Sequence, residues 1–149
     1  MKTKQVMPIT YLLIAMLAMV GVHFLLPLAM IVPVPWNLLG IIPIALGIAI
    51  NLIADKAFHN AKTTVKPFEE STELVTDGIF RISRNPMYLG FVLILVGIVV
   101  LLRSLSPYVV ILAFVILIQV MFITIEERML AEKFGARWQQ YEQNTRRWL

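Results

Sequence analysis

A chain of 149 residues that is 59% apolar and 15% charged, with a mean hydropathy of +0.81, lies far outside the composition of a soluble domain. It reads as one integral membrane domain (1–149) whose stability comes from helix packing more than from an aqueous core. The absence of cysteine excludes disulfides, thiolate metal sites and a cysteine nucleophile. No metal is expected. A formal net charge of +4 and a pI near 9.6 fit a basic face beside anionic lipid better than a nucleic-acid partner.

In chain order, a short basic head with Lys2 and Lys4 precedes an apolar run from about 9 to 32, long enough to cross a bilayer of about 30 Å. No small-x-small cleavage site follows in a polar setting, so the run reads as a retained span rather than a signal peptide. Pro33, Val34, Pro35, Trp36 and Asn37 make a turn with an interfacial aromatic. A second span, 38–54, then closes a tight hairpin with the first. From 55 to 83 the chain turns too polar for the hydrocarbon region. This is a solvent-side connector in which 55–62 prolongs the second helix beyond the membrane, since long structureless connectors are uncommon. Spans three (87–102) and four (107–125) flank a short polar turn at 103–106, and an amphipathic helix is expected over 126–144.

The predicted fold is therefore all-α: a membrane bundle of four transmembrane helices in two hairpins, with a connector and a C-terminal amphipathic helix. All of the 13 Lys and Arg except Arg103 fall before span one, between spans two and three or after span four. That asymmetry predicts a multi-pass protein with both termini and the connector cytoplasmic. His23, alone at membrane depth, reads as a helix–helix hydrogen bond rather than a proton relay.

Two polar clusters stand where apolar helices meet water. In the first, RNPMYLG at 84–90, Asn85 reads as an N-cap and Pro86 as the first helical residue. A helix N-terminus beside Arg84 and Arg81 suits a carboxylate or phosphate. Tyr88 would equally serve as an interfacial tyrosine, and Gly90 leaves room for a ligand or another helix. The second cluster is EERML at 126–130. On a continuous helix Leu130, Phe134, Trp138 and Tyr141 fall within about 80° of one face, and Glu127 shares that sector. An acid on an apolar face needs a partner or a cationic ligand. A salt bridge from Glu126 or Glu127 to Arg84, Arg81 or Arg128 is the plain alternative, as is interfacial anchoring for Arg146, Arg147 and Trp148.

RNPMYLG, a long apolar stretch, EERML with Phe134 and Gly135, then Trp138, Tyr141 and a terminal RRWL together resemble the isoprenylcysteine carboxyl methyltransferase and phospholipid methyltransferase superfamily of integral membrane enzymes. The resemblance covers about 76–149, and many members carry His where Asn85 stands. It implies methyl transfer from S-adenosylmethionine, bound on the cytosolic side between the ends of the last two membrane helices and the C-terminal helix. Arg84, Asn85, Pro86, Tyr88, Leu89 and Gly90 match the first cofactor motif, and Glu126 and Glu127 the second. The cofactor's carboxylate suits arginine, its ammonium suits Glu126 or Glu127, and its adenine suits walls such as Leu130, Phe134 and Trp138. Arg81, Trp138, Tyr141, Arg146 and Arg147 are candidates for contacting or anchoring the substrate.

No nucleophilic or basic residue is obligatory for this chemistry, since displacement at a sulfonium depends on alignment and desolvation. A carboxylate acceptor, such as a prenylcysteine-like group, needs no base, whereas an amine must first lose a proton. The acceptor is expected to be a lipophilic small molecule, lipid or prenylated group entering laterally from the bilayer. Two other functions fit less well. NADPH-dependent membrane reductases of the sterol type share the Pro-x-Tyr-x-Gly and acid-pair pattern, but carry Asn and an acid where Met87 and Phe91 stand. In a non-catalytic scaffold or lipid-binding protein the clusters would only close salt bridges.

Overall fold

A computed structural model describes residues 7–26, 28–64, 66, 68–69 and 71–149. Lys2 and Lys4 lie outside the described residues. Six α-helices are present among the described residues: α1 (Pro8–Leu25), α2 (Ile41–Asn60), α3 (Pro86–Leu102), α4 (Tyr108–Ile118), α5 (Thr124–Phe134) and α6 (Ala136–Asn144). Their only β-pairing is an isolated bridge between Met30 and Ser104.

α1 opens on Pro8, whose missing N–H is harmless in a first turn. It stops at Leu25, short of the predicted 32, because Leu26 precedes a proline and takes a non-helical conformation (φ −128°, ψ 71°). The chain beyond runs back along the far end of α3, where Ile31 N donates to Arg103 O at 2.8 Å and Leu105 N to Ala29 O at 3.1 Å. α1 packs mainly on α4 and α3, so the tight hairpin expected of the first two helices does not form. α3 takes the place beside α2 instead.

A 3-10 turn, Trp36–Gly40, leads into α2, which continues past residue 54 to Asn60. α2 and α3 form the most extensive helix pair, and the cause is legible residue by residue. Gly40 faces Gly97, Gly47 faces Gly90, and a Cβ on any of the four would run into the opposing main chain or the side chain beside it. Small residues let membrane helices approach closely, so dispersion and backbone contacts replace the missing hydrophobic drive. At Gly90 the crowding comes from the Asn51 side chain and from Gly47 O.

α3 ends at Arg103, which adopts the left-handed conformation (φ 66°) common to helix C-caps. The last long helix runs unbroken from Tyr108 to Phe134. Within it, Gln119–Ile123 form one π-helical turn, with Thr124 N–H bonding to Gln119 O. The fourth apolar helix thus carries straight through residue 125. The single amphipathic helix predicted over 126–144 is instead broken at Gly135 (φ 50°, ψ −119°), a conformation that a side chain would strain.

Among the described residues three helices, Pro8–Leu25, Trp36–Asn60 and Tyr108–Phe134, are long and apolar enough to cross a membrane, and Pro86–Leu102 is apolar but shorter. Leu17, Leu52 and Leu112 point outward, as befits a lipid-facing surface, while Met19, Leu95, Val99 and Ile118 are fully buried between the helices. A second cluster, with Ala54, Phe80, Trp138 and Tyr141, fills the end where α2 finishes and α3 begins. The helix–helix bond expected of His23 is absent among the described residues. Its Nδ1 is buried without a partner, and its ring meets Phe24 edge-on at 4.9 Å.

Candidate functional site

Both polar clusters arrive at the same end of the bundle. A 3-10 turn, Gly78–Arg81, delivers the chain to Ser83, which is buried. Asn85 occupies the N-cap position of α3 with Pro86 behind it, yet makes no side-chain cap bond. Its amide donates instead to Glu127 Oε1 and to the carbonyl of Arg147, both at 3.2 Å. The capping role read from Asn-Pro is therefore wrong in its hydrogen bond: the side chain is oriented by its Nδ2 donors toward a buried carboxylate and a tail carbonyl, and its oxygen caps no helix N–H.

Glu127 is only 6% exposed. Arg147 donates from Nε (3.0 Å) and Nη2 (2.6 Å) to its Oε2, and Arg84 Nη1 stands 3.7 Å from Oε1. A buried charge survives only with such pairing. Arg84 is itself largely enclosed, with Nη1 bonded to Glu142 at 2.7 Å and its guanidinium over the Trp138 ring at 5.7 Å. Its Nε is buried with no partner. Glu126 differs from its neighbour. It accepts one bond, from the Tyr88 hydroxyl at 2.8 Å, and forms no ion pair among the described residues. Tyr141 closes the back by donating to Phe80 O at 2.6 Å. Burial pushes its phenol well above the ordinary value, so the hydroxyl stays a donor.

These groups border a cavity of about 690 Å³, within the range of small-molecule sites of about 300–1,000 Å³. Arg84, Asn85, Pro86, Tyr88, Glu126, Glu127, Leu130, Trp138 and Tyr141 all line it. Leu89, Gly90, Phe134, Arg81, Arg146 and Arg147 do not. Gly90 is spent on the seam with α2, and Phe134 packs beside the Trp138 cluster. Arg81 pairs with Asp77 at 3.0 Å, and Arg147 stands behind Glu127. The expected single helical face of Leu130, Phe134, Trp138 and Tyr141 is cut by Gly135, yet all four side chains belong to that one cluster because α6 folds back on the connector.

Other lining residues carry no signal in the sequence pattern. The connector covers the cavity with Lys66, Phe68, Glu69 and Ser71. Phe68, at φ 65°, reaches inward to Phe122 at 5.5 Å between ring centres. Thr63 and Thr72 close this loop at its neck, Thr72 N donating to Thr63 Oγ1 at 3.0 Å. Met7, Pro8 and Ile9, at the start of α1, form an apolar edge.

Apolar, outward-facing helices that hold a charged and aromatic cavity at one end define a multi-pass membrane protein with an enzyme-like pocket. Residues 36–137 match the phospholipid methyltransferase family, and the chain belongs to that family of membrane methyltransferases. The match takes in α2 and the connector, upstream of the segment on which the sequence resemblance rests, and stops before Trp138. A comparison with curated proteins finds no match.

Proposed function

We propose that the protein transfers a methyl group from S-adenosylmethionine to a lipid-borne acceptor at the cytosolic face of the membrane. The observation that carries this is the convergence of Arg84, Tyr88, Glu126 and Trp138, from three separate segments, on one cavity at the end of the apolar helices. When bound, the cofactor supplies a methyl group on a sulfonium, open to in-line displacement.

The residues fit it group by group. Arg84 offers a carboxylate a largely enclosed guanidinium at the cavity wall, held in place through Nη1 by Glu142. Glu126 is the better acid for the ammonium, because Glu127 is already met by Arg147 and Asn85, and Tyr88 aims the Glu126 carboxylate. Leu130, Phe91 and Trp138 supply apolar and aromatic wall for the adenine. Holding the donor this way, away from water, is where the chain contributes to the rate.

The acceptor enters from the bilayer past Met7, Pro8 and Ile9. Family membership supports a phospholipid. An amine head group must be unprotonated to attack, whereas a carboxylate, the acceptor preferred on sequence grounds, is nucleophilic as it stands. Four spans are proposed, α3 included, since its 17 residues reach about 25 Å at 1.5 Å each. The described Lys and Arg other than Arg103 lie in the connector, at the start of α3 or after α4, which supports a cytosolic mouth and cytosolic termini.

Calorimetric titration of the purified protein with S-adenosylhomocysteine and with NADPH tests this. Binding of the first alone is expected. Binding of NADPH alone would mean a reductase, and binding of neither a scaffold. Labelled methyl transfer into a lipid extract then identifies the acceptor.

A further inference from the structure

The tail after α6 makes more bonds to the site than either sequence motif makes to the other. Arg146 O accepts from Arg84 N at 2.9 Å, and Arg147 O accepts from Ser83 Oγ and Asn85 Nδ2, each at 3.2 Å. Trp148 Nε1 donates to Gln119 Oε1 at 2.9 Å, beside the π turn. These residues lie beyond the segment matched by the family, and the Arg147 side chain does not line the cavity.

Arg147 spends both Nε and Nη2 on one oxygen, Glu127 Oε2. The other oxygen lies 3.7 Å from Arg84 Nη1, beyond a hydrogen bond but close enough to compete for that cation with the half-exposed Glu142, which bonds to it at 2.7 Å. A buried carboxylate without a partner is costly. If Arg147 were absent, Glu127 would draw on Arg84, the nearest remaining cation.

We infer that Arg147 is a positioning residue: by satisfying Glu127 it keeps Arg84 available to an anionic group in the cavity. This rests on the methyltransferase reading, in which that group is the carboxylate of the cofactor. Arg147 acts through Glu127 and touches no ligand. The relation is one of suppression, so the harm done by losing Arg147 disappears when Glu127 loses its charge.

The test is S-adenosylhomocysteine affinity, by calorimetry, of the full chain and five variants, with thermal unfolding recorded for each. Arg147→Ala is expected to bind at least tenfold more weakly, and Arg147→Lys within about threefold of the unaltered protein. Glu127→Gln and the double variant Arg147→Ala/Glu127→Gln are expected to match each other, so that removing Arg147 costs nothing further once Glu127 is neutral. Arg128→Ala, an exposed arginine one residue away, serves as the charge-matched control.

A double variant tenfold weaker than Glu127→Gln would make the tail a mere structural strap and overturn the inference. So would an Arg147→Ala protein that binds normally. Should Arg147→Ala fail to fold, Glu127→Gln against the double variant decides the matter: equal affinities support the inference, and a tenfold gap overturns it. No binding by the unaltered protein would strike at the methyltransferase reading instead.

Discussion

The two ends of α3 solve the same problem with different materials. At the Arg103 end, the chain reversal is closed mainly by main-chain groups: Ile31 N to Arg103 O, Leu105 N to Ala29 O, and Arg103 Nε to Val32 O at 3.0 Å. Ser104 and Ser106 bond to each other at 2.9 Å, and no carboxylate takes part. At the Pro86 end, three acids, two arginines, an asparagine, a serine and two tyrosines are gathered from segments up to 64 residues apart. Almost any sequence can supply backbone groups to close a turn. Buried charge is tolerated only where each partner is specified, and such specification is the mark of a site rather than of a reversal.

The largest effect should come from the seam that joins these ends. Gly97→Val would drive a branched side chain into Gly40 O and Ile44, costing about 3 kcal/mol or more. Thermal unfolding in detergent should show it, and an unchanged midpoint would mean that α2 and α3 do not pack this closely.

Next in size, Glu126→Gln should weaken S-adenosylhomocysteine binding by about 1–3 kcal/mol with little change in stability. Unchanged affinity would retire Glu126 as the ammonium ligand. Tyr88→Phe removes only the bond that aims that carboxylate, so calorimetry should register a loss of about 1 kcal/mol. The smallest effect on function belongs to the far end. Arg103→Ala should leave methyl transfer within about twofold while lowering stability by about 1 kcal/mol through the lost bond to Val32. A large loss of turnover in a folded Arg103→Ala protein would erase the contrast between the two ends.

The apolar runs, the start of α3 at Pro86 and the extension of α2 past the charged residues Asp55 and Lys56 were all legible in the sequence, because length, proline and polarity act locally. Pro27 also announced the early end of α1, but a run of apolar residues on both sides hid it. Gly40, Gly47, Gly90 and Gly97 stand seven apart within each helix, a pattern that becomes meaningful only when the helices are known to be neighbours. At Gly135 the regular spacing of Leu130, Phe134, Trp138 and Tyr141 masked a break that the glycine itself signalled. The bond between Arg147 and Glu127 has no local trace at all. It depends on where α6 turns the tail, and nothing in the pattern of residues 145–149 selects one carboxylate over another.

The π turn at Gln119–Ile123 acts as a phase adjuster for everything downstream. It accommodates one residue more than an α-helical turn, and each residue advances a helix by about 100°. Because the wide turn already absorbs that residue, deleting a single amino acid there would relax the turn to ordinary pitch and leave Glu126 and Glu127 close to their present phase, still facing Tyr88 and Arg147. Activity would then survive a one-residue shortening that an unbroken α-helix could not absorb.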